Sequence, residues 1–498
     1  MERTAVLVPP VITPSEVPAG AFMLASGLMA RGVEAPIHDL SLGFFLWLFR
    51  RKAPELGLAN CLPSMDYLTD PPGGMYTPHR HRSCCGVLQS VIKTYSAGFP
   101  GWKLSLMDSS PPGVLHSATD LLKAAEHGRT PFSEYMEQWA SHHGDTFDRA
   151  LVSISYLSQL PAAVELSVML EGMGKRVTAG GSLPAALEST GSGSEHLRSC
   201  FSELLTDDGR SLTGDSEPFM NRLKWPLFAL ETEYLSPDPV IPFALTTGCV
   251  WNRCLFCPDR DKPFTMIPAG NLQTLLKGSG QRCTVHLIDS AMPRKPLESV
   301  LPVLRDMSSG FYGFARPEGS LLKDGFMGKL RDAGCMMLQT GVESGSSRIL
   351  KMFCKGFLPE TAERVLEAAH HNGILNYAYL LFGLPEESPA DRDMTLELVR
   401  RHADEIDFLN LSIFNLPEKS ELTQRAEEFG ILPGTYDPSA DVMRFYRPFT
   451  AMNGSDPRRE AREYIAGVFR QEPAVERILQ RTPKWFRAGH MAFMKPSG

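Results

Sequence analysis

Three cysteines in one short stretch are the residues of this sequence most suited to metal chemistry. They lie in Cys249-Val-Trp-Asn-Arg-Cys254-Leu-Phe-Cys257-Pro258, with the spacing C-x4-C-x2-C. An apolar run at 241–245 and then Thr246-Thr-Gly248 precede them, which predicts a buried strand that ends in a loop. Thiolates are ligands of zinc and of iron–sulfur clusters, so the loop is a candidate metal centre.

The number of cysteines separates the two kinds of metal centre. A closed structural zinc site needs four ligands, whereas this loop offers three and the chain has no second C-x2-C pair. A [4Fe–4S] cluster bound by three cysteines keeps one iron free to bind a substrate or cofactor. Buried free cysteines also serve as small apolar side chains, but three of them in one loop with Gly, Asn and Pro favour the cluster.

The cysteine stretch resembles the radical S-adenosylmethionine (SAM) superfamily. The commoner spacing there is C-x3-C-x2-C, so this sequence has one extra residue in the first gap. Phe256 matches the family's aromatic residue before the last cysteine, which borders the adenine. Segments 341–356 and 373–387 also resemble the family, and the likeness extends over roughly 242–422. It implies a [4Fe–4S] cluster that cleaves SAM reductively, usually to a 5′-deoxyadenosyl radical that abstracts hydrogen from an unactivated carbon.

The elements around the cysteine loop predict an α/β barrel. Strand candidates alternate with helical patterns such as 361–371, and they lie at 241–245, 285–288, 313–315, 336–341, 377–381 and 408–413. We expect a parallel sheet that curls into a partial (β/α)6 TIM-type barrel over 241–420, with a small, mainly helical closing segment at 421–498. Catalytic residues of such sheets lie at the carboxyl ends of the strands, where the cysteine loop also falls.

Polar residues at these strand ends form a predicted SAM site. SAM carries an ammonium, a carboxylate, a ribose diol and an adenine. Glu343 suits the ammonium or the ribose, Arg316 suits the carboxylate, and Gly383 suits the close approach of the adenine. Phe256 and Ser344 complete the predicted set. Each residue alone is equally compatible with a surface salt bridge or a turn, and the sequence identifies no catalytic side chain.

The first two hundred residues predict a second, open α/β domain. A strand at 4–8, a helical pattern from Ala21 to Gly32 and an extended piece up to Asp39 begin it. Strand candidates 150–155 and 175–179 then flank a helical pattern at 161–171. We expect a Rossmann-like domain over 1–205 with an insertion near 50–146, followed by a linker at 206–240. We interpret His79, His81 and the Cys84-Cys85 pair, all in the insertion, as a solvated loop with plain thiols.

This layout resembles the cobalamin-binding domain that precedes the catalytic domain in one radical SAM subgroup. There the strand ends corresponding to Ser153, Ser155, Gly180 and Gly181 flank the cobalamin tail. The D-x-H-x-x-G motif that supplies a histidine to cobalt is absent, since Pro9-Pro10-Val11 follows the first strand. Two alternatives follow: the domain binds cobalamin without that histidine, or it has lost the cofactor.

Composition bounds the remaining possibilities. At 498 residues two or three domains are expected, and 43% hydrophobic and 21% charged residues are typical of a globular protein. The net charge of −7 gives no electrostatic basis for binding nucleic acid or an anionic membrane. The cysteine use and the N-terminus, which lacks the order of a signal peptide, predict a cytoplasmic protein. The longest apolar run near the N-terminus, 42–49, is too short to span a bilayer.

The leading expectation is a cobalamin-dependent C-methyltransferase of a natural product, peptide or lipid precursor. Its electron donor would be a flavodoxin or ferredoxin. The alternative is a cobalamin-independent radical SAM enzyme with a vestigial N-terminal domain, which rearranges its substrate, forms a C–S or C–C bond or transfers another part of SAM. A non-enzymatic alternative is a structural or electron-relay cluster beside a binding module. The sequence identifies neither the substrate nor the oligomeric state.

Overall fold

Two parallel sheets organise the chain in the computed structural model. It describes residues 2–113, 117–126, 129–190, 194–207, 209–213, 222–230, 232–435 and 443–495. The first sheet has four strands in the order β2-β1-β3-β4, and these are β1 (Thr4–Val8), β2 (Ile37–Asp39), β3 (Arg149–Ser153) and β4 (Arg176–Gly180). The predicted open sheet is therefore present, with strand bounds within two residues of those expected.

Burial on both faces explains the composition of the first sheet. Ala5 to Val8 are all almost completely buried, as is typical of a parallel sheet covered by helices. The helices Ala19–Ala30 and Leu160–Gly172 cover it, close to the two helices that the sequence predicts. Pro161 stands in the first turn of the second helix, where proline disrupts no intrahelical hydrogen bond.

The insertion is helical, which corrects the expectation of a solvated loop around His79 and His81. The helix Pro78–Ser96 buries His81, Cys84 and Cys85 on one face together with Leu88 and Ile92. The three- and four-residue spacing of these side chains follows the helical period, but polar neighbours at the N-terminal end obscure it in the sequence. The helix Leu40–Trp47 precedes the insertion, whose other helices are Ala53–Glu55, Leu62–Thr69, Ala118–Glu126 and Ser133–His143. Residues 114–116 and 127–128 lie outside the described residues.

The second sheet has the six parallel strands that the sequence predicts. Its order, β10-β9-β8-β7-β6-β5, follows the chain. The strands are β5 (Val240–Phe243), β6 (Thr284–Leu287), β7 (Phe311–Ala315), β8 (Cys335–Glu343), β9 (Leu375–Phe382) and β10 (Phe408–Ile413). Helices connect successive strands, namely Ala269–Gly278, Arg294–Asp306, Phe326–Asp332, Ser347–Met352, Pro359–His371 and Pro389–Arg401. The sheet is thus a run of β/α units whose carboxyl ends share one edge.

The C-terminal segment contains short strands as well as the expected helices. Leu416–Pro417 pairs with Tyr446–Arg447, and Ile431–Pro433 pairs with Phe449–Ala451, both antiparallel. The helices are Glu421–Gln424, Pro457–Gly467, Pro473–Arg481 and Gly489–Ala492, while 436–442 and 496–498 lie outside the described residues. None of the helices in the described ranges is long and apolar enough to cross a bilayer.

The predicted linker contributes to the packing between the sheets. Ile37 donates its N–H to Leu227 O at 2.8 Å, and Ala229 donates to Ile37 O at 2.9 Å, so this piece lies along β2. The phenol of Tyr234 donates to Asp39 Oδ2 at 2.8 Å in the buried region. Residues 208, 214–221 and 231 of the predicted linker lie outside the described residues. Residues 227–229 and Tyr234 thus pack against the edge strand of the N-terminal sheet.

Two buried histidines connect the insertion to the C-terminal segment. Nε2 of His490 contacts Leu235 O, and a carbonyl only accepts, so that nitrogen carries the proton. Nδ1 of His490 therefore accepts from Nε2–H of His81 at 2.8 Å. Burial lowers the pKa of His81 to about 4 and also lowers the pKa of His490 well below its ordinary value. Both rings are neutral at neutral pH, and they hold three distant segments together.

This histidine pair predicts a loss of stability in mild acid. The unfolded chain binds a proton to His81 below about pH 6.5, whereas the folded chain does so only near pH 4, so stability falls as pH drops through that window. For His81 alone, the free energy of unfolding should fall by about 1.4 kcal/mol between pH 7.5 and pH 5.5. Denaturant unfolding at both pH values measures it. His81→Gln should show a smaller pH dependence, and an equal one would contradict the prediction.

Candidate cluster and cofactor site

The cysteine loop begins at the end of β5 and is anchored at its base. Thr246–Thr247 pairs antiparallel with Thr265–Met266, so the two ends of the loop lie side by side. Both carboxylate oxygens of Asp289 hold this base, one accepting from Leu245 N at 2.9 Å and the other from Thr246 Oγ1 at 2.6 Å. Gly248 has φ +70°, and a Cβ there would lie 2.6 Å from Pro263 O, so the entrance requires glycine.

The three cysteines lie together on this loop as partly buried free thiols. Cys257 donates its N–H to Cys254 O at 3.2 Å. Burial raises the pKa of Cys254 although Lys355 and Arg316 act in the opposite direction, and burial raises the pKa of Cys257 to about 11. Cluster binding would therefore release protons from these thiols.

The spacing of the thiols differs from that of a single-ion site. No group of three His, Cys, Asp or Glu side chains in the described part of the chain is arranged to hold one metal ion. A four-iron cluster is larger than one ion, so its thiolates lie farther apart around it. The donor set, three thiols of one loop with two cations beside Cys254, fits a cluster that leaves one iron free.

Trp251 connects the loop to the residues that follow β8. Its Nε1–H donates to Cys354 O at 2.7 Å, and the Arg316 guanidinium lies 4.2 Å from the centre of its ring. Gly356 has φ +72°, and a Cβ there would lie 1.8 Å from the indole. Glycine at 356 is thus required by the close approach of Trp251. Cys354 follows the helix Ser347–Met352 and is exposed.

The structure brings Arg316 and Glu343 together through Lys355. Nζ of Lys355 lies 3.0 Å from Glu343 Oε1, and its side chain is 11% exposed. Arg316 pairs with Glu318 at 2.6 Å and also donates to Lys355 O. Burial lowers the pKa of Lys355, but the neighbouring Glu343 carboxylate and Cys254 outweigh it and the pKa is raised. Lys355 therefore remains a cation beside the cysteine loop.

Lys355 is absent from the residues that sequence reasoning selected. Lys355 follows a helix rather than a strand, so a search for functional residues at the ends of strands does not find it. Lys355 and Glu343 are twelve residues apart, and no local pattern in the sequence indicates that their side chains touch. Phe256, which the sequence did select, lies beside it, because Nζ of Lys355 is 5.5 Å from the centre of that ring.

Ser344 and Gly383 make contacts elsewhere in the structure. Ser344 is buried, with its Oγ 3.3 Å from Thr395 Oγ1. Gly383 donates its N–H to Glu387 Oε2 at 2.7 Å, and a Cβ there would lie 3.1 Å from Pro457 O. The close approach at Gly383 is thus to the helix Pro457–Gly467. A part for these two residues in binding SAM stays a prediction.

Two adjoining cavities lie where the carboxyl edge of the N-terminal sheet meets the barrel. One has a volume of about 330 Å³ and the other of about 470 Å³. Ser153 and Ser155 line both cavities, and Gly180 and Gly181 line the larger one. The structure therefore brings together all four residues that the sequence selected in this domain.

A contact between the two domains borders the smaller cavity. Glu16, in the loop after β1, accepts from Tyr312 OH at 3.1 Å with the same oxygen that lies 3.1 Å from His286 Nδ1. The rings of His286 and Tyr312 are stacked, with 4.5 Å between their centres. Burial raises the pKa of Glu16, but His286 and Tyr312 outweigh it and the pKa is lowered. Sequence reasoning missed this group because its members lie on separate elements without a motif.

Comparison with protein families places the barrel in a known class. Residues 243–399, which include the three cysteines, Arg316 and Glu343, match the profile of the Radical SAM superfamily. This part of the chain is a radical SAM domain, and the cofactors of that class are a [4Fe–4S] cluster and SAM. No curated protein matches the sequence.

Several solved structures are similar in fold. The radical SAM methyltransferase TsrM from Kitasatospora setae, with cobalamin and a [4Fe–4S] cluster bound, is 14% identical over 93% of this chain and 85% of its own, with a TM-score of 0.48. The cobalamin-dependent enzyme OxsB with aqua-cobalamin bound is 14% identical over 66% of this chain, which spans 60% of OxsB, with a TM-score of 0.47. Coproporphyrinogen III oxidase from Escherichia coli is 15% identical over 46% of this chain and 52% of its own, with a TM-score of 0.32.

The cysteine loop predicts the metal content of the protein. Replacing Cys249, Cys254 or Cys257 by alanine should remove most of the bound iron and its visible absorbance after anaerobic reconstitution, because each thiolate holds a separate iron. Iron and sulfide analysis per chain measures this. Cys354→Ala, a change at an exposed thiol in the same neighbourhood, should keep the full content. Full cluster content in the triple alanine variant would reject the assignment.

Arg316 and Glu343 predict a loss of SAM affinity on neutral replacement. Removing a hydrogen bond to a charged group typically weakens binding by about 1.5–3 kcal/mol, which is roughly tenfold to hundredfold. Arg316→Gln and Glu343→Gln should each show this loss by calorimetric titration of the cluster-loaded protein with SAM. Glu360→Gln, at an exposed carboxylate in the first turn of the helix Pro359–His371, is the control. Unchanged SAM affinity in both variants, with normal thermal unfolding, would reject the pair.

Proposed function

We propose that the chain is a radical SAM enzyme that modifies an unactivated carbon and uses cobalamin to methylate it. The observation that carries the proposal is the pair of adjoining cavities between the two domains, about 330 and 470 Å³, which share a wall at Ser153, Ser155 and Tyr156. A corrinoid has a broad ring and a long nucleotide tail. Two connected spaces, one against the barrel and one within the N-terminal domain, suit such a ligand.

The walls of the larger cavity fit an extended and mostly apolar ligand. Leu151, Ala179 and Leu205 contribute apolar surface, and Ser153, Ser155 and Thr178 contribute a few polar groups, a balance typical of cofactor pockets. Glycines at 20 and 180 leave the walls open, because a Cβ at Gly20 would already lie 3.2 Å from Ser153 Oγ. Ser153, Ser155, Gly180 and Gly181 would hold the cofactor.

No histidine of the N-terminal domain lines either cavity in the described residues. His38, at the edge strand of that domain, is buried against Trp139, and burial lowers its pKa to about 4. The proposal is therefore cobalamin bound without a histidine ligand from this domain. This agrees with the absence of the D-x-H-x-x-G motif from the sequence.

The described residues divide the work of the proposed reaction. When bound, the cluster and SAM supply the radical chemistry and the corrinoid supplies a methyl group. Cys249, Cys254 and Cys257 would hold the cluster, and Arg316 and Glu343 would orient SAM. Lys355 holds the Glu343 carboxylate in place at 3.0 Å.

Filling the larger cavity should prevent corrinoid binding without affecting the cluster. Gly180→Leu and Gly20→Leu place a side chain in the cavity at positions with ordinary backbone angles, whereas Gly181 has φ +120° and would be strained by any side chain. Visible absorption after anaerobic reconstitution with hydroxocobalamin should show at least about a tenfold loss of bound corrinoid. Iron content and SAM binding should be unchanged.

The control for this test is Gly172→Leu, at an exposed helix end with nothing within 4 Å of the added Cβ. It should retain the corrinoid. Wild-type protein that stays free of corrinoid, yet cleaves SAM under reducing conditions, would reject the cobalamin part of the proposal. The function would then be the cobalamin-independent radical SAM enzyme. Protein that loads a cluster but does not cleave SAM would reject the enzymatic proposal as well.

A further inference from the structure

A shallow groove open to solvent lies against the cysteine loop. Its volume is about 410 Å³. The loop contributes two side chains and the segment after β8 contributes the others, and together they are Trp251, Arg253, Lys351, Cys354, Phe357 and Leu358. None of these residues lines the two cavities between the domains. The groove is thus a separate surface that shares the cysteine loop with the candidate active site.

The groove is positively charged although the chain is acidic. Arg253 and Lys351 are exposed, and neither has a carboxylate within 4.0 Å among the described residues. The lining includes no Asp or Glu. The whole chain carries a net charge of −7, so a surface with two cations and no carboxylate partner differs in sign from the chain as a whole. Such a patch attracts a negatively charged partner and speeds its association.

Apolar side chains accompany the two cations. Leu358 is 40% exposed, and Phe357 and Trp251 line the groove beside it. A small apolar centre with charged residues around it is the usual composition of a transient protein interface. Because the groove is concave and has aromatic side chains at its base, it offers such a partner a defined binding site rather than a diffuse charged surface.

The groove also reaches the residues that would hold the cluster. Trp251 and Arg253 lie between Cys249 and Cys254 in the sequence, so the wall of the groove is the ligand loop itself. The indole is fixed by its hydrogen bond to Cys354 O at 2.7 Å and by Arg316 at 4.2 Å. A protein seated in the groove would therefore lie against the loop that holds the metal.

We propose that this groove is the docking surface for a small acidic one-electron carrier protein of the flavodoxin type, which reduces the cluster. In this step the reduced carrier loses one electron and the oxidised cluster gains it, and no bond forms or breaks. The inference rests on the proposed function in one respect, namely that the cluster must be reduced before SAM is cleaved. Electrons would enter from the groove, while the organic substrate would enter from the cleft between the domains.

Cross-linking tests the surface independently of activity. A zero-length carbodiimide reagent joins a lysine amine to a carboxylate in contact with it, so the full chain mixed with an acidic flavodoxin should yield a cross-link at Lys351. Lys351→Glu should weaken binding of fluorescently labelled flavodoxin about tenfold, because reversing a rim charge alters electrostatic association. Lys277→Glu, an exposed lysine at the opposite end of the barrel strands, should leave it unchanged.

Kinetics separate docking from damage to the cluster. With reduced flavodoxin as donor, kcat/KM for SAM cleavage should fall about tenfold in Lys351→Glu and fall further with added salt. With dithionite, a small reductant that needs no docking surface, the rate should equal that of the wild type. An equal fall with both donors would overturn the proposal, because Lys351 would then act on the cluster.

Three further outcomes would also overturn the docking proposal. These are cross-links confined to other lysines, flavodoxin binding that Lys351→Glu leaves unchanged, and a dimer of this chain that the same variant dissociates in sedimentation experiments. Failure of the proposed function would give a different experimental result. Wild-type protein that does not cleave SAM even with dithionite would reject that function, while the cross-link would still decide where the carrier binds.

Discussion

The arrangement of the site depends on a contact between the two sheets. Glu16 reaches from the loop after β1 to His286 on β6 and Tyr312 on β7, with both distances 3.1 Å. Parallel strands direct their carboxyl ends to one edge, so each sheet alone would present an open rim. The carboxylate joins the two rims. The cavities form between them, and a ligand on one sheet faces the residues of the other.

Electrostatics impose a second constraint on the barrel side. Three thiolates and the Glu343 carboxylate in one partly buried place would repel each other strongly without cations nearby. Lys355 and Arg316 supply these charges, and Arg316 also donates a hydrogen bond to the backbone carbonyl of Lys355. A buried ion pair is weak evidence for stability, because desolvation opposes the attraction. Its value here is to keep negative charge in a defined position beside the cysteine loop.

Much of the fold could be predicted because strands buried on both faces appear as continuous apolar runs. All six barrel strands and the four-stranded sheet follow from such runs and the helical periods between them. The insertion could not, because His79, Arg80 and His81 hide the apolar face of the helix Pro78–Ser96, whose burial depends on His490 far along the chain. Lys355 and Glu16 were missed for the same reason: tertiary packing alone defines their partners.

The C-x4-C gap contains a local change of backbone direction. Asn252 has φ +47°, the left-handed region that asparagine tolerates better than most residues. This turn separates two neighbours with different tasks. Trp251 packs over Arg316 and against Gly356, whereas Cys254 remains beside Lys355. Trp251 and Cys254 thus contact different parts of the site, although only two residues separate them in the loop.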